Sequence, residues 1–220
     1  MSYDSVIFDF DGVLVNSGFD SFEWALEARR DVIEQNDWDF TLENFKQTVF
    51  QPHTQDFQKL MNKKNISWSQ LAELEKAVAL KKIEMSENGE LELFPPVRNL
   101  MEAIDGEKAV VTNAYGDYIR EMLEGLGISE HIRFCTGPKI SEIREYREKM
   151  KPSPDMIEEA VNNISGENPV MIGDQIEDIL AARNADIDSI YIDRNGDKES
   201  KADHSVRSLE EALEIIQDQT

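Results

Sequence analysis

The sequence predicts an α/β fold: an open parallel sheet with helices on both faces, and a small all-α block inserted after the first strand. Two observations carry most of this. From about residue 90 onward, short runs rich in Val and Ile alternate with segments of helical periodicity, the pattern of βαβ units. Between Ser17 and about Asn88, by contrast, no β-alternation interrupts the helical pattern. The third observation is local: the buried run Val6-Ile7-Phe8 ends directly in Asp9, Asp11 and Gly12. Open α/β sheets keep their ligand crevice just beyond such strand ends. The expected division is residues 1–16 and 90–220 for the α/β part, and 17–89 for the helical block.

In chain order, Val6–Phe8 reads as a buried strand. A helical stripe runs through Ser21–Glu34 on Phe22, Leu26, Val32 and Ile33, and Leu60 and Met61 end a second, shorter stretch. Ser67-Trp68-Ser69-Gln70 is a capping box that opens a helix over Gln70–Ser86, and Gly89 stops it. All three tryptophans, Trp24, Trp38 and Trp68, fall in this block, which suggests a small core of its own. Pro96 suits the first turn of a helix over Val97–Ile104. Strands are then expected at Ala109–Val111, Ile132–Cys135, Val170–Ile172 and Ser189–Ile192. Helices fall at Tyr118–Leu126, Pro154–Asn162, Ile176–Asn184 and Leu209–Ile216, the last after a loop over Asn195–Asp203.

Composition narrows the function classes. The chain has 220 residues, of which 40% are hydrophobic, enough for a packed core. No run approaches the roughly 18 apolar residues of a membrane span, and Met1-Ser2-Tyr3-Asp4 lacks a basic leader, so a cytoplasmic protein is expected. Cys135 is the single cysteine, which excludes an intramolecular disulfide and fits a reducing compartment. The histidines, His53, His131 and His204, have no zinc-site spacing, so any metal should be a hard, oxygen-ligated one. Lys+Arg 23 against Asp+Glu 45 gives a net charge of −22. Such a surface repels nucleic acid and anionic membranes, so neither is expected as a partner. It fits either a high-salt cytoplasm or an ordinary acidic protein.

Several strand ends carry usable chemistry. Asp9 and Asp11 suit nucleophilic attack by one carboxylate and proton transfer by the other, with Mg²⁺ screening their repulsion. Val110-Val111 runs into Thr112-Asn113, which is either an ordinary turn or a hydroxyl and an amide for a phosphoryl oxygen. Lys151-Pro152-Ser153-Pro154 places a cation before a proline-fixed helix start; an exposed lysine is the alternative. Val170-Met171-Ile172-Gly173-Asp174 repeats the first pattern, and Asp178 follows one helical turn later. The helix dipole alone accounts for Asp178 better than for Asp174.

Taken in order, these motifs resemble the haloacid dehalogenase superfamily, with all four of its defining motifs matched between Val6 and about Ala185. The resemblance implies a Rossmann-like core, and the helical block looks like the helical cap of phosphoglycolate-phosphatase-like members. It further implies a Mg²⁺-dependent phosphatase acting on a small phosphorylated metabolite. By that likeness Asp9 is the nucleophile that forms an aspartyl-phosphate, and Asp11 the general acid/base, with its backbone carbonyl on the metal. Thr112 and Lys151 hold the phosphoryl group, with Asn113 beside them as a substrate-binding candidate, and Asp174 ligates Mg²⁺. Asp178 is a second ligand or a partner for Lys151. Asn16 and Gln175 depart from the family's usual aspartate and Ser/Thr at those positions.

Substrate choice would lie in the helical block, where Arg29, Arg30, Lys46 and His53 are the polar candidates, each alternatively a solvated helix face. The resemblance leaves a sugar phosphomutase open, as well as a non-catalytic phospho-accepting or binding protein. Asp11 argues against a haloalkanoate dehalogenase. A monomer or dimer is expected.

Overall fold

The computed structural model describes residues 3–17, 23–38, 59, 61–63, 66–146, 148–196 and 201–217. Six parallel strands form its sheet: β1 (Ser5–Phe8), β4 (Glu107–Val111), β5 (Phe134–Thr136), β6 (Pro169–Gly173), β7 (Asp188–Ile192) and β8 (His204–Val206). Their order is β5-β4-β1-β6-β7-β8, with β1 in the middle. The chain therefore leaves β1 toward one side and later returns to its other side, which makes the end of β1 a topological switch point.

Alternation along the strands divides the interior into two layers. Val6, Phe8, Val110, Val170, Ile172, Ile190 and Ile192 face a large cluster that includes Val97, Leu100, Ile119, Met122, Leu209 and Ala212. Those residues belong to α3 (Val97–Ala103), α4 (Gly116–Gly125) and α7 (Leu209–Gln217). The intervening side chains Ile7, Ala109, Val111 and Met171 point the other way. They meet Met156, Ile157 and Ala160 of α5 (Asp155–Asn163), and Ala181 and Ala182 of α6 (Ile176–Asn184). Both faces of the sheet are thus covered by helices, as the βαβ pattern requires.

The expected helical block supplies α1 (Glu23–Gln35) and α2 (Trp68–Asn88). The capping box is formed by Ser67 and Gln70, and Gly89 closes the helix at φ 74°. Trp38 and Trp68 border a small cluster of Ile33, Met61, Ile66, Leu71, Leu74 and Ile143. Trp24 packs instead against the large sheet cluster, so the three tryptophans do not share one core. Among the described residues, no helix is long and apolar enough to cross a membrane.

Two pieces of β-structure carry little sequence signal. One is a two-residue antiparallel ribbon, β2 (Val15–Asn16) on β3 (Glu92–Leu93), at the two ends of the helical block. The other is the edge strand β8, His204-Ser205-Val206, too short and polar to stand out. The strand expected at Ile132–Cys135 lies at Phe134–Thr136, because Ile132 follows a 3₁₀ turn over Ser129–His131.

Candidate active site

Register brings the strand-end groups together. Phe8 pairs with both Val110 and Ile172, so Asp9, Thr112 and Asp174 all emerge at one edge of the sheet. Asp9 donates its backbone N–H to the Ile172 carbonyl at 2.9 Å, which keeps it level with β6. Carboxylate oxygens of Asp9, Asp174 and Asp178 all lie within 4.8 Å of one another.

Lys151 sits beneath this cluster and is 1% exposed. Its ammonium donates to Asp9 Oδ1 at 2.8 Å and to the Val111 carbonyl at 2.9 Å, and pairs with Asp178 Oδ1 at 2.6 Å. Burial alone would lower the Lys151 pKa; the Asp178 and Asp9 carboxylates outweigh it and hold the lysine charged, above its ordinary value. Asn113 fixes the lysine's backbone: its Nδ2 donates to the Lys151 carbonyl at 3.0 Å, and its Oδ1 accepts from the Lys151 N–H at 2.9 Å. Both ends of the Asn113 amide are thus engaged with the Lys151 backbone. Thr112 Oγ1 accepts from the Ala114 N–H at 3.0 Å, which leaves its hydroxyl proton to donate.

Asp178 makes the second of its two expected contacts, the one to Lys151. Its Oδ1 is on Lys151 and its Oδ2 accepts the Gln175 N–H at 3.0 Å, so it anchors the lysine and caps α6. Gly173 has to be glycine here, because a Cβ at that position would overlap the Asp178 carboxylate. Gly12, at φ +80°, likewise has Asp174 where a Cβ would stand. Gln175 holds Asp174 Oδ2 at 2.9 Å through its amide, which explains how an amide serves at that position.

The cluster has room for a cation on electrostatic grounds. Three carboxylates face one ammonium. Burial, then Asp178 and Asp174, push the Asp9 carboxyl well above the usual range despite Lys151. Asp174 is pushed up to about 6, by burial first and then by Asp178. Its Oδ1 is buried without a hydrogen-bond partner, which is the position a metal would fill. A hard divalent cation such as Mg²⁺ fits this all-oxygen donor set.

A pH dependence follows. A carboxyl raised in the folded state stabilises it below the unfolded value, 3.8, and that contribution is lost as pH rises through about 6. Metal-free protein should therefore lose stability across this window. Added Mg²⁺ should raise Tm increasingly between pH 5 and 7, as it no longer displaces a proton from Asp174. Thermal melts with and without Mg²⁺ at each pH check this, and a Mg²⁺ shift that is constant with pH would contradict it.

Asp11 stands apart from the three-acid cluster. Its carboxylate is held by the Ser17 hydroxyl and by the ammonium of Lys82, a residue of α2. Lys82 is 5% exposed and lies 5.0 Å above the Phe10 ring. Sequence reasoning missed Lys82 and also Glu75, seven residues earlier on the same helix face, with Ala79 between them. Glu75 receives Arg29 at 2.7 Å and the Tyr115 hydroxyl, from the loop just after Thr112. Both charged side chains are buried, and a charge within a buried helical stripe is the signal that could have found them. Arg29, one of the expected ligand candidates, is accordingly 2% exposed in an internal ion pair with Glu75. Arg30 is exposed on α1, Asn16 is exposed on β2, and Lys46 and His53 lie outside the described residues.

Solved structures share this architecture. CbbY of Rhodobacter sphaeroides, in complex with xylulose-1,5-bisphosphate, has a TM-score of 0.69 at 17% identity over 94% of both chains. A Lactobacillus plantarum protein provisionally named a phosphoglycolate phosphatase has 0.66 at 21%, over 98% of this chain and 100% of that one. YfnB of Bacillus subtilis, bound to magnesium, has 0.64 at 19%, over 99% and 100%. No protein of curated function matches the chain by sequence. The family model for haloacid dehalogenase-like hydrolases matches residues 6–192, a span running from β1 to the end of β7 with every acid of the cluster inside it. The chain belongs to the haloacid dehalogenase-like hydrolase family.

Proposed function

We propose that the chain is a Mg²⁺-dependent phosphatase that hydrolyses a small phosphorylated metabolite through an aspartyl-phosphate on Asp9. The observation that carries this reading is the pairing of Asp9 with Lys151 at 2.8 Å, beside the unpartnered Asp174 Oδ1. Lys151 occupies Asp9 Oδ1, which leaves Oδ2 as the attacking oxygen. That oxygen forms a bond to phosphorus as the ester bond breaks. Asp11 protonates the leaving alkoxide and then takes a proton from the water that hydrolyses the acyl phosphate, returning Asp9 and releasing inorganic phosphate. Lys151 and the Thr112 hydroxyl hold the phosphoryl oxygens. Asp9, Asp174 and the Asp11 backbone carbonyl would hold Mg²⁺, which supplies charge neutralisation at the phosphoryl group.

The helical block acts as a cap in this reading. Lys82 reaches Asp11, and Glu75 reaches Tyr115, so α2 touches the loops that follow both β1 and β4. Such a cap excludes bulk water during the first step. The likeness to proteins that bind xylulose bisphosphate and magnesium supports the ligand classes.

The test is phosphate release from a panel of small phosphate esters, with and without Mg²⁺, at low and multimolar KCl. Mg²⁺-dependent release from at least one ester is expected. Folded protein that releases none in either salt would contradict the reading, and isomerisation of a sugar monophosphate that requires a sugar bisphosphate as activator would move it to a phosphomutase.

A further inference from the structure

Arg194 is not among the family motifs, yet it touches the site's framework at two points. It follows β7, on the same sheet edge as the acids. Its Nη1 donates to the carbonyl of Gly12, the residue after Asp11. Its guanidinium lies over Phe94, with Cζ 3.9 Å from the ring centroid. It also feels the Asp174 carboxylate, although burial is the larger influence on it.

Gly12 and Phe94 are the flanks of the β2–β3 ribbon. Gly12 N–H donates to the Val15 carbonyl at 2.9 Å, and Phe94 N–H to the Leu14 carbonyl at 3.0 Å. Between them only two residue pairs, Val15 with Leu93 and Asn16 with Glu92, connect the strands. A ribbon this short is marginal by itself. It is also where the chain passes from the sheet to the helical block and back. A displacement of that block can therefore reach the 11–17 segment, and with it Asp11, through the ribbon as well as through Lys82.

We propose that Arg194 is a positioning residue that clamps the ribbon. By gripping the Gly12 carbonyl and the Phe94 ring together, it fixes where Asp11 stands relative to Asp9. This rests on the phosphatase reading for its catalytic consequence, and on the contacts alone for its structural one. Arginine suits the task because one planar group can donate in its plane and stack on its face at once; lysine keeps the charge and does only one of these.

The test compares Arg194→Lys, Phe94→Leu, Phe94→Tyr and the double variant Arg194→Lys/Phe94→Leu. Hydrogen exchange of the Phe94 and Val15 amides is measured on metal-free protein, and kcat, KM and half-saturating Mg²⁺ on p-nitrophenyl phosphate. Arg194→Lys and Phe94→Leu should each speed exchange about tenfold and lower kcat about tenfold, as expected for a small misplacement of a catalytic group. KM and the Mg²⁺ requirement should stay unchanged. The double variant should be no worse than either single, and Phe94→Tyr should match wild type. The clamp is overturned if Arg194→Lys leaves exchange at the wild-type rate, or if the two single effects add. It is equally overturned if higher Mg²⁺ restores kcat, since Arg194 would then act on the Asp174 charge. If wild type hydrolyses no ester, the phosphatase reading fails while the exchange measurements still decide the clamp.

Discussion

Asp9→Asn should abolish phosphate release, by at least about three orders of magnitude, while leaving the fold as stable as before or more so. The first half follows from chemistry: an amide has the shape of the carboxylate but not its nucleophilic oxygen. The residual rate from the remaining groups sets a floor well above the uncatalysed reaction. The second half follows from the crowding at the site. Asp9 is 6% exposed and its carboxyl is pushed up by burial and by two other acids. A raised carboxyl stabilises the fold below its unfolded pKa and costs stability above its folded one. Replacing a carboxyl raised in this way should therefore hold or raise Tm at pH 7 to 8, which lies well above its unfolded value. Lost activity with retained stability would place the defect in the chemistry. A second measurement is direct: wild type quenched in acid during turnover should carry phosphate on the peptide containing Asp9, and the variant should not. Asp9→Asn that keeps more than a tenth of wild-type turnover would show that another group attacks.

The groups legible in the sequence share one property. Asp9, Thr112, Lys151 and Asp174 each sit directly after a buried strand or before a helix start, where local pattern announces them. Parallel pairing then aligns strand ends, so Phe8 level with Val110 and Ile172 suffices to gather three of the four. The residues that escaped notice act across long stretches of chain. Lys82 and Asp11 are 71 residues apart, and Arg194 and Gly12 are 182 apart. No periodicity links such pairs; only the packed fold does. Arg29 shows the same limit from the other side. A cation on an amphipathic helix reads as a ligand candidate, but the acid that neutralises it, Glu75, is 46 residues away. A strand-end amide such as that of Asn113 looks the same in sequence whether it faces a phosphate or, as here, the backbone of Lys151.

Lys151→Met should be the most destabilising single change at the site as well as an inactivating one. Methionine fills much of the lysine stem's volume, so the packing change is small and the lost charge dominates. What remains is Asp9 and Asp178, both buried, with no cation between them. Removing one partner of a buried ion pair typically costs about 3–5 kcal/mol, and here one ammonium serves two carboxylates. The cost should depend on pH in a definite direction. With Lys151 gone, the Asp9 carboxyl rises further above its unfolded pKa, so the variant gains stability by taking up a proton as pH falls. The Tm deficit relative to wild type should accordingly be greatest near pH 8 and smaller near pH 5, measured without metal. Lys151→Met/Asp178→Asn should recover part of the stability, because one of the two stranded charges is removed, yet none of the turnover, because the cation that holds the transferring phosphoryl group in the proposed mechanism is still missing. A Lys151→Met protein within about 1 kcal/mol of wild type at pH 8 would mean that water, not Lys151, balances these acids. The electrostatic argument for a metal beside Asp174 would then lose its basis as well.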